Sequence, residues 1–226
     1  MTSSRHARAT SAPSGFVGRF ARSAMVIVLA VALATPGAAA RLHGRVKQGV
    51  YHSPAKNFTV PVPKGMRISD DFRKDVMAGA VSFHSVWGSL SAIHYANIPT
   101  EAQAMFAEPD RTEALLAAWL SNYAMPAWFL HASPQSRVVR QSPASFEGRS
   151  VLVATVEIPG GHHAAWVPDD SGALRRSDSI RGLVIFNEGA YVYMLATEVG
   201  IQESDDAWMQ FVETLKPFYQ SILFTV

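Results

Sequence analysis

Two adjacent histidines, His162 and His163, follow Gly160-Gly161, with Trp166 and the carboxylates of Asp169 and Asp170 close behind. Imidazoles beside flexible glycines can meet a metal ion or an anion, because the ring is a ligand when neutral and a donor when protonated. Neighbouring residues of an extended segment point opposite ways, however, so two such rings seldom reach one ion, and an ordinary solvated loop is the plainer reading. A second pair, His84 and His94, falls on one face of an expected hairpin, diagonal to each other at about 7–8 Å between Cβ atoms. A carboxylate joining them would make a metal site; rings packed on a sheet beneath a helix are the plainer alternative. Asp70, Asp71 and Asp75 offer the oxygen ligands that calcium prefers, but their spacing matches no calcium loop. Trp128, in Ala127-Trp128-Phe129-Leu130, either covers the sheet or forms an exposed patch for a partner. The candidate binding residues are therefore His162, His163, Trp166 and Trp128, with no catalytic or metal residue assigned.

Signatures of catalysis are missing. The chain has no G-x-S-x-G elbow, H-E-x-x-H helix, phosphate loop or glycine fingerprint. With no cysteine, thiol catalysis and thiolate metal sites are excluded, and any export must be survived without disulfides. No cofactor is expected.

The first forty residues read as an address. Arg5, Arg8, Arg19 and Arg22 precede an uninterrupted apolar run, Ala24 to Ala34, and then Ala38-Ala39-Ala40, with no acidic residue before Asp70. A basic start, a short apolar core and a small-residue exit describe a secretory signal peptide, cleaved near Ala40. The run falls short of the roughly 20 residues that cross a bilayer, and no later segment is apolar enough to span. The expected product is a soluble exported protein, periplasmic if the source is bacterial. The full chain carries 20 basic and 18 acidic residues, a net +2. Without the four leader arginines the balance becomes sixteen against eighteen, a net −2. The basic character thus belongs to the leader, and nucleic-acid binding has no footprint to rest on.

Residues 41–226 are close to one domain's worth of chain, and no low-complexity block divides them. Arg41 to Val50 is a lead-in strand or arm. Phe58, Val60 and Val62 alternate as a strand with one buried face, and Pro61 places it at an edge or bulge. Met66 to Asp75, polar and charged, reads as a surface connection. Val76 to Tyr95 is a hairpin around Gly88, with Val81 opposite Tyr95 and Phe83 opposite Ile93 on one apolar face.

Thr100 to Asn122 is helical in two pieces broken near Glu108-Pro109. Asp110 caps the second, Leu115, Leu116, Trp119, Leu120 and Tyr123 form its stripe, and Pro126 ends it. Arg137–Gln141 and Ser150–Ile158 are strands, and Pro159 to Asp178 is a long irregular stretch of the kind that often carries function. The centre of the scaffold is Arg181 to Phe218. There Leu183–Phe186 and Tyr191–Ala196 pair through the loop Asn187-Glu188-Gly189, setting Val184 opposite Val192 and Leu183 opposite Tyr193. Both strands are apolar on both faces, as mid-sheet strands are. A helix follows, capped by Ser204, with Ala207, Trp208, Phe211, Val212 and Leu215 inward and Pro217 at its end; truncating Trp208 or Phe211 should cost about 3–5 kcal/mol.

Strands, helix, strands and helix favour an α+β class: an antiparallel β-sheet with helices packed on its faces. Tyr51–Pro63, with its Ser-Pro turn and Pro63-Lys64-Gly65, resembles the opening of PsbP-like (Mog1/PsbP fold) domains. Tyr191-Val192-Tyr193, a helix and Leu215-Lys216-Pro217-Phe218 are similar to their close. The resemblance implies a Mog1/PsbP-like α/β/α sandwich and an accessory protein that binds an envelope partner or small ligand without catalysis. It brings no binding residues with it, since the matched positions are core and turn residues.

Overall fold

The structure, a computed structural model, describes residues 41–84, 90–161, 166–168, 171–199, 213 and 215–225. The leader 1–40, the hairpin tip at Gly88, His162 and His163, Ser204, Trp208 and Phe211 lie outside them.

Fourteen strands are described. The main sheet has the order β1-β5-β6-β7-β13-β12-β9-β8 and every pairing in it is antiparallel. Its members are β1 (Arg41–Leu42), β5 (Arg67–Arg73), β6 (Ala78–His84), β7 (Leu90–Asn97), β8 (Arg137–Phe146), β9 (Arg149–Ile158), β12 (Ser179–Glu188) and β13 (Tyr191–Val199). A smaller sheet, β14-β4-β3-β2, is built from β2 (Arg45–Lys47), β3 (Val50–His52), β4 (Phe58–Pro61) and β14 (Leu223–Phe224). Helix α1 (Thr100–Phe106) is followed by helix α2 (Pro109–Trp119), which runs on into a π-helix, Leu120–Leu130.

The apolar residues of β12 and β13 dictate the layering, because strands apolar on both faces must be covered on both. On one face the small sheet and the helical segment 215–220 bring Phe58, Tyr51, Leu215 and Tyr219 onto Val184, Phe186, Tyr193 and Leu195. On the other, Leu116, Trp119, Leu120 and Phe129 pack onto Leu152, Leu183, Ile185 and Met194. The result is the expected α+β arrangement, an antiparallel sheet with helices packed on it. The expected helix stripe is buried throughout: Leu115, Leu116, Trp119, Leu120 and Tyr123.

Several local expectations are corrected. The β12–β13 turn has two residues, Gly189-Ala190, and Glu188 pairs with Tyr191. Gly189 alone takes a positive φ there, 55°, as a type II′ turn asks of its first central residue. Asn187 Nδ2 donates to the carbonyls of Gly189 and Tyr191 and fixes the bend. Val184 consequently faces Leu195 and Leu183 faces Ala196, and every β13 side chain sits on the face opposite to the one a three-residue loop gives. In the β6–β7 hairpin the expected apolar face is present, but the register is two residues away: Val81 opposes Ile93 and Gly79 opposes Tyr95.

Residues 67–73 are a strand, not a connection. Only Phe72 is buried, so its polar sequence conceals pairing to β6 with one face in water. Glu108, not Asp110, is the residue before α2, with Pro109 at the first helical position, and Thr112 Oγ1 donates to the carbonyls of Phe106 and Glu108. Pro126 does not end the helix. Its ring would strike the carbonyl four residues back in an α-helix, and the wider π turn accommodates it. The 159–178 stretch is not wholly irregular either, because β10 (Trp166–Pro168) pairs with β11 (Leu174–Arg176).

Candidate functional site

The helix face of the sheet is not filled to its end. Where β6, β7 and β13 reach the limit of the helix layer they carry Ser82, Ala92 and Ala196, short side chains that leave a gap under the π-helix. The gap is a cleft of about 320 Å³, within the size range of small-molecule sites. Trp128, Phe129 and Ser133 wall one side, and Ile158, Pro159, Gly160 and Gly161 wall the other. His94 and Arg181 are its polar floor.

Each wall is held from behind. Ser133 Oγ donates to the carbonyl of Pro159 at 3.2 Å, tying the helix exit to the end of β9. Gly160 N–H donates to Asp178 Oδ1 at 2.9 Å, and Gly161 N–H turns back to the carbonyl of Ile158. A Cβ on Gly161 would collide with Ile158 Cγ2, so the tightness of this rim requires glycine.

Arg181 is 6% exposed although it is charged. Buried cations need partners, and it has Glu198 Oε2 and the Gly161 carbonyl, each at 3.4 Å. Arg181 and Glu198 are direct cross-strand neighbours on β12 and β13. Ser179 Oγ donates to the other carboxylate oxygen at 2.8 Å, so Glu198 is fixed behind the arginine. Burial lowers the guanidinium's affinity for its proton, and Glu198 works against that shift.

His94 is partly exposed, yet its Nδ1 is buried with no hydrogen-bond partner among the described residues. Burial first, then the charge of Arg181, lowers its pKa to about 3, so the ring is neutral at pH 7. It stacks at a tilt on Trp128, centroids 4.8 Å apart, and lies 6.4 Å from Phe129. Trp128 is supported in turn by Trp119 at 5.6 Å and by an edge contact with Tyr123 at 5.4 Å. Tyr123 and Trp128 are five residues apart, the spacing that a π turn stacks.

Of the residues singled out in the sequence, Trp128 reaches the cleft, and Gly160-Gly161 form its rim next to His162 and His163 in the chain. Trp166 lies in β10, and its side chain is outside the described residues. His84 and His94 do not meet. His84 opposes Leu90 while His94 opposes Ala80, four residues further along, or about 13 Å. His84 instead shares a 3.0 Å hydrogen bond with Ser69 Oγ. Asp70 is no calcium ligand in waiting but a clasp, accepting from Gly44 N–H and from the Tyr51 hydroxyl and pairing with His43 Nδ1. Asp75 pairs with Arg73 at 2.8 Å. Among the described residues no three metal-ligating side chains converge. Sequence reasoning misses Arg181 and Glu198 because only long-range register makes them partners. The one local signal is an arginine standing just ahead of the apolar run Leu183–Phe186.

No family model matches the chain, and no curated protein does. Solved structures similar to it include a protein from Bacteroides thetaiotaomicron VPI-5482, at 11% identity and a TM-score of 0.40 over 80% of this chain. This chain spans 50% of that protein's length. Cyanobacterial PsbP from Synechocystis sp. PCC 6803 is similar at 9% identity and a TM-score of 0.40, covering 86% of this chain and 99% of its own. LpqN of Mycobacterium tuberculosis, described as involved in cell envelope biogenesis, is similar at 14% identity and a TM-score of 0.36, covering 83% and 90%. PsbP is thus among the structural neighbours, in keeping with the resemblance read from Tyr51–Pro63 and Tyr191–Phe218. Likeness at this level carries no argument about function. Among the described residues no helix is long and apolar enough to cross a membrane.

Proposed function

We propose that this is an exported accessory protein that acts by binding and not by catalysis, and that the cleft beneath Trp128 receives a small ligand. The observation that carries the reading is the floor of that cleft. A buried arginine held from behind and an imidazole nitrogen without a partner are costly to keep. Both groups would gain from an occupant able to hydrogen-bond with them. Apolar walls with a few convergent polar groups are the usual composition of a small-molecule site.

The lack of catalytic signatures in the sequence supports binding over turnover. Export rests on the leader pattern from Arg5 to Ala40. His162 and His163 follow Gly161 directly and are proposed as rim residues that contact the occupant.

The test is a panel of anionic, neutral and cationic small molecules titrated against the purified protein, followed by tryptophan fluorescence. At least one should bind, and Trp128→Ala should weaken it. If none binds while a specific envelope protein is captured on a surface away from the cleft, the accessory role survives without its ligand. Turnover of any panel member would overturn the non-catalytic reading.

A further inference from the structure

The charge distribution of the cleft narrows the chemistry of its occupant more than its shape does, provided that the cleft receives a small ligand at all. Among the described lining residues one is cationic, Arg181, and none is acidic. Glu198, the arginine's partner, is not part of the lining. It lies across the strand pair and approaches the guanidinium only at 3.4 Å, well beyond the 2.7–2.9 Å of a strong charged hydrogen bond. Its other oxygen is occupied by Ser179. The second contact, to the Gly161 carbonyl, is equally long. Both contacts are long, so the guanidinium is oriented by Glu198 and Gly161 and would gain from a closer acceptor. A guanidinium lining a cavity with no acidic residue in its described lining, and with partly apolar walls, suits a carboxylate.

The remaining surfaces define the rest of the occupant. Trp128 and Phe129 offer flat apolar area, Ile158 and Pro159 an aliphatic wall, and Ala92 and Ala196 a shallow floor. A volume of about 320 Å³ admits one ring or a short branched chain, not a long acyl tail. The ring of His94, neutral at pH 7, adds no second charge, so Arg181 is the one cation among the described lining residues. We propose that the cleft binds a small organic monocarboxylate with an aromatic or branched apolar body, its carboxylate on Arg181 and its body against Trp128 and Phe129.

Phenylacetate and phenylacetamide, equal in shape and different in charge, separate the possibilities by calorimetric titration at pH 7. Phenylacetate should bind about tenfold tighter or more, the advantage of a charge-assisted pair. This ratio is read on the unaltered protein and needs no variant. Arg181→Gln should erase the preference for the acid. Trp128→Ala should weaken both compounds alike and keep their ratio. Equal or tighter binding of the amide would sink the carboxylate assignment while leaving a small-ligand cleft in place. Failure of both compounds, with a cationic or larger panel member binding instead, would likewise overturn the assignment alone. Failure of every panel member would remove the small-ligand reading with it.

Discussion

The two faces of the main sheet are filled on different terms. Against the small sheet, large rings close on one another: Phe186 stacks on Tyr193 at 5.5 Å, while Phe58 meets Tyr95 and Tyr193 edge-on at 5.3 and 6.0 Å. The tyrosine hydroxyls find partners, Tyr95 with Ser53 and Tyr193 with the Asn57 carbonyl, and burial pushes both phenols up. Against the helices, side chains are fully buried at Leu183, Ile185 and Met194 but give way at one end to alanines, a serine, the long-paired Arg181 and His94, whose Nδ1 has no partner among the described residues. The first face commits its side chains to stability. The second leaves a cleft open, and that difference, not any short motif, is the basis for proposing binding there.

Substitutions can break this contrast, beginning with the largest. Phe186→Ala should lower stability by about 3–5 kcal/mol in chemical denaturation, with ligand affinity of the folded fraction unchanged; a loss under about 1 kcal/mol would mean the aromatic face is not the stabilising one. Gly161→Ala, which forces Ile158 to move, should cost about 1–3 kcal/mol through overpacking and narrow the cleft; stability and binding both unmoved would show the rim to be yielding. His94 supplies a pH signature. An unfolded histidine takes up its proton near 6.5 and the folded one only near 3. The unfolded chain thus binds more protons in that window, and stability should fall as pH drops through it, by up to about 1.4 kcal/mol per unit. Denaturation of His94→Gln at pH 7 and pH 5 should lose that part of the slope; an unchanged slope assigns it elsewhere. Smallest of all, Arg137→Ala removes an exposed pair with Glu157 and should change stability by under about 1 kcal/mol on either face's account; a larger loss would make the outermost strand a third, unsuspected source of stability.

Much of the packed scaffold is readable in the sequence, and little of the cleft. Apolar residues on both sides of β12 and β13 betray a mid-sheet position because nothing else tolerates them, and the stripe from Leu115 to Tyr123 declares a packed helix for the same reason. Register is not readable. Gly189-Ala190 and the three-residue alternative differ by one residue of loop, and that residue inverts which face β13 shows. The strand at Arg67–Arg73 hides because a half-solvated strand needs few apolar residues, and Phe72 alone is no pattern. The cleft draws its floor from β6, β7, β12 and β13 and its wall from the π-helix, so no stretch of sequence contains it. Trp128 is visible as an aromatic without a packing assignment, and its neighbours at the cleft, His94 and Arg181, come only with the fold.

The π-helix has one further consequence, a matter of phase. Eleven residues wound five to the bond rotate less per residue than an α-helix does, so the segment acts as a vernier between α2 and the cleft. Deleting one residue between Leu120 and Met125 would turn Trp128 off Tyr123 and away from His94, while Pro126 bars the segment from rewinding as an ordinary α-helix. Insertions and deletions here are therefore a means of aiming an indole, a change in direction that no substitution of the same residues would reproduce.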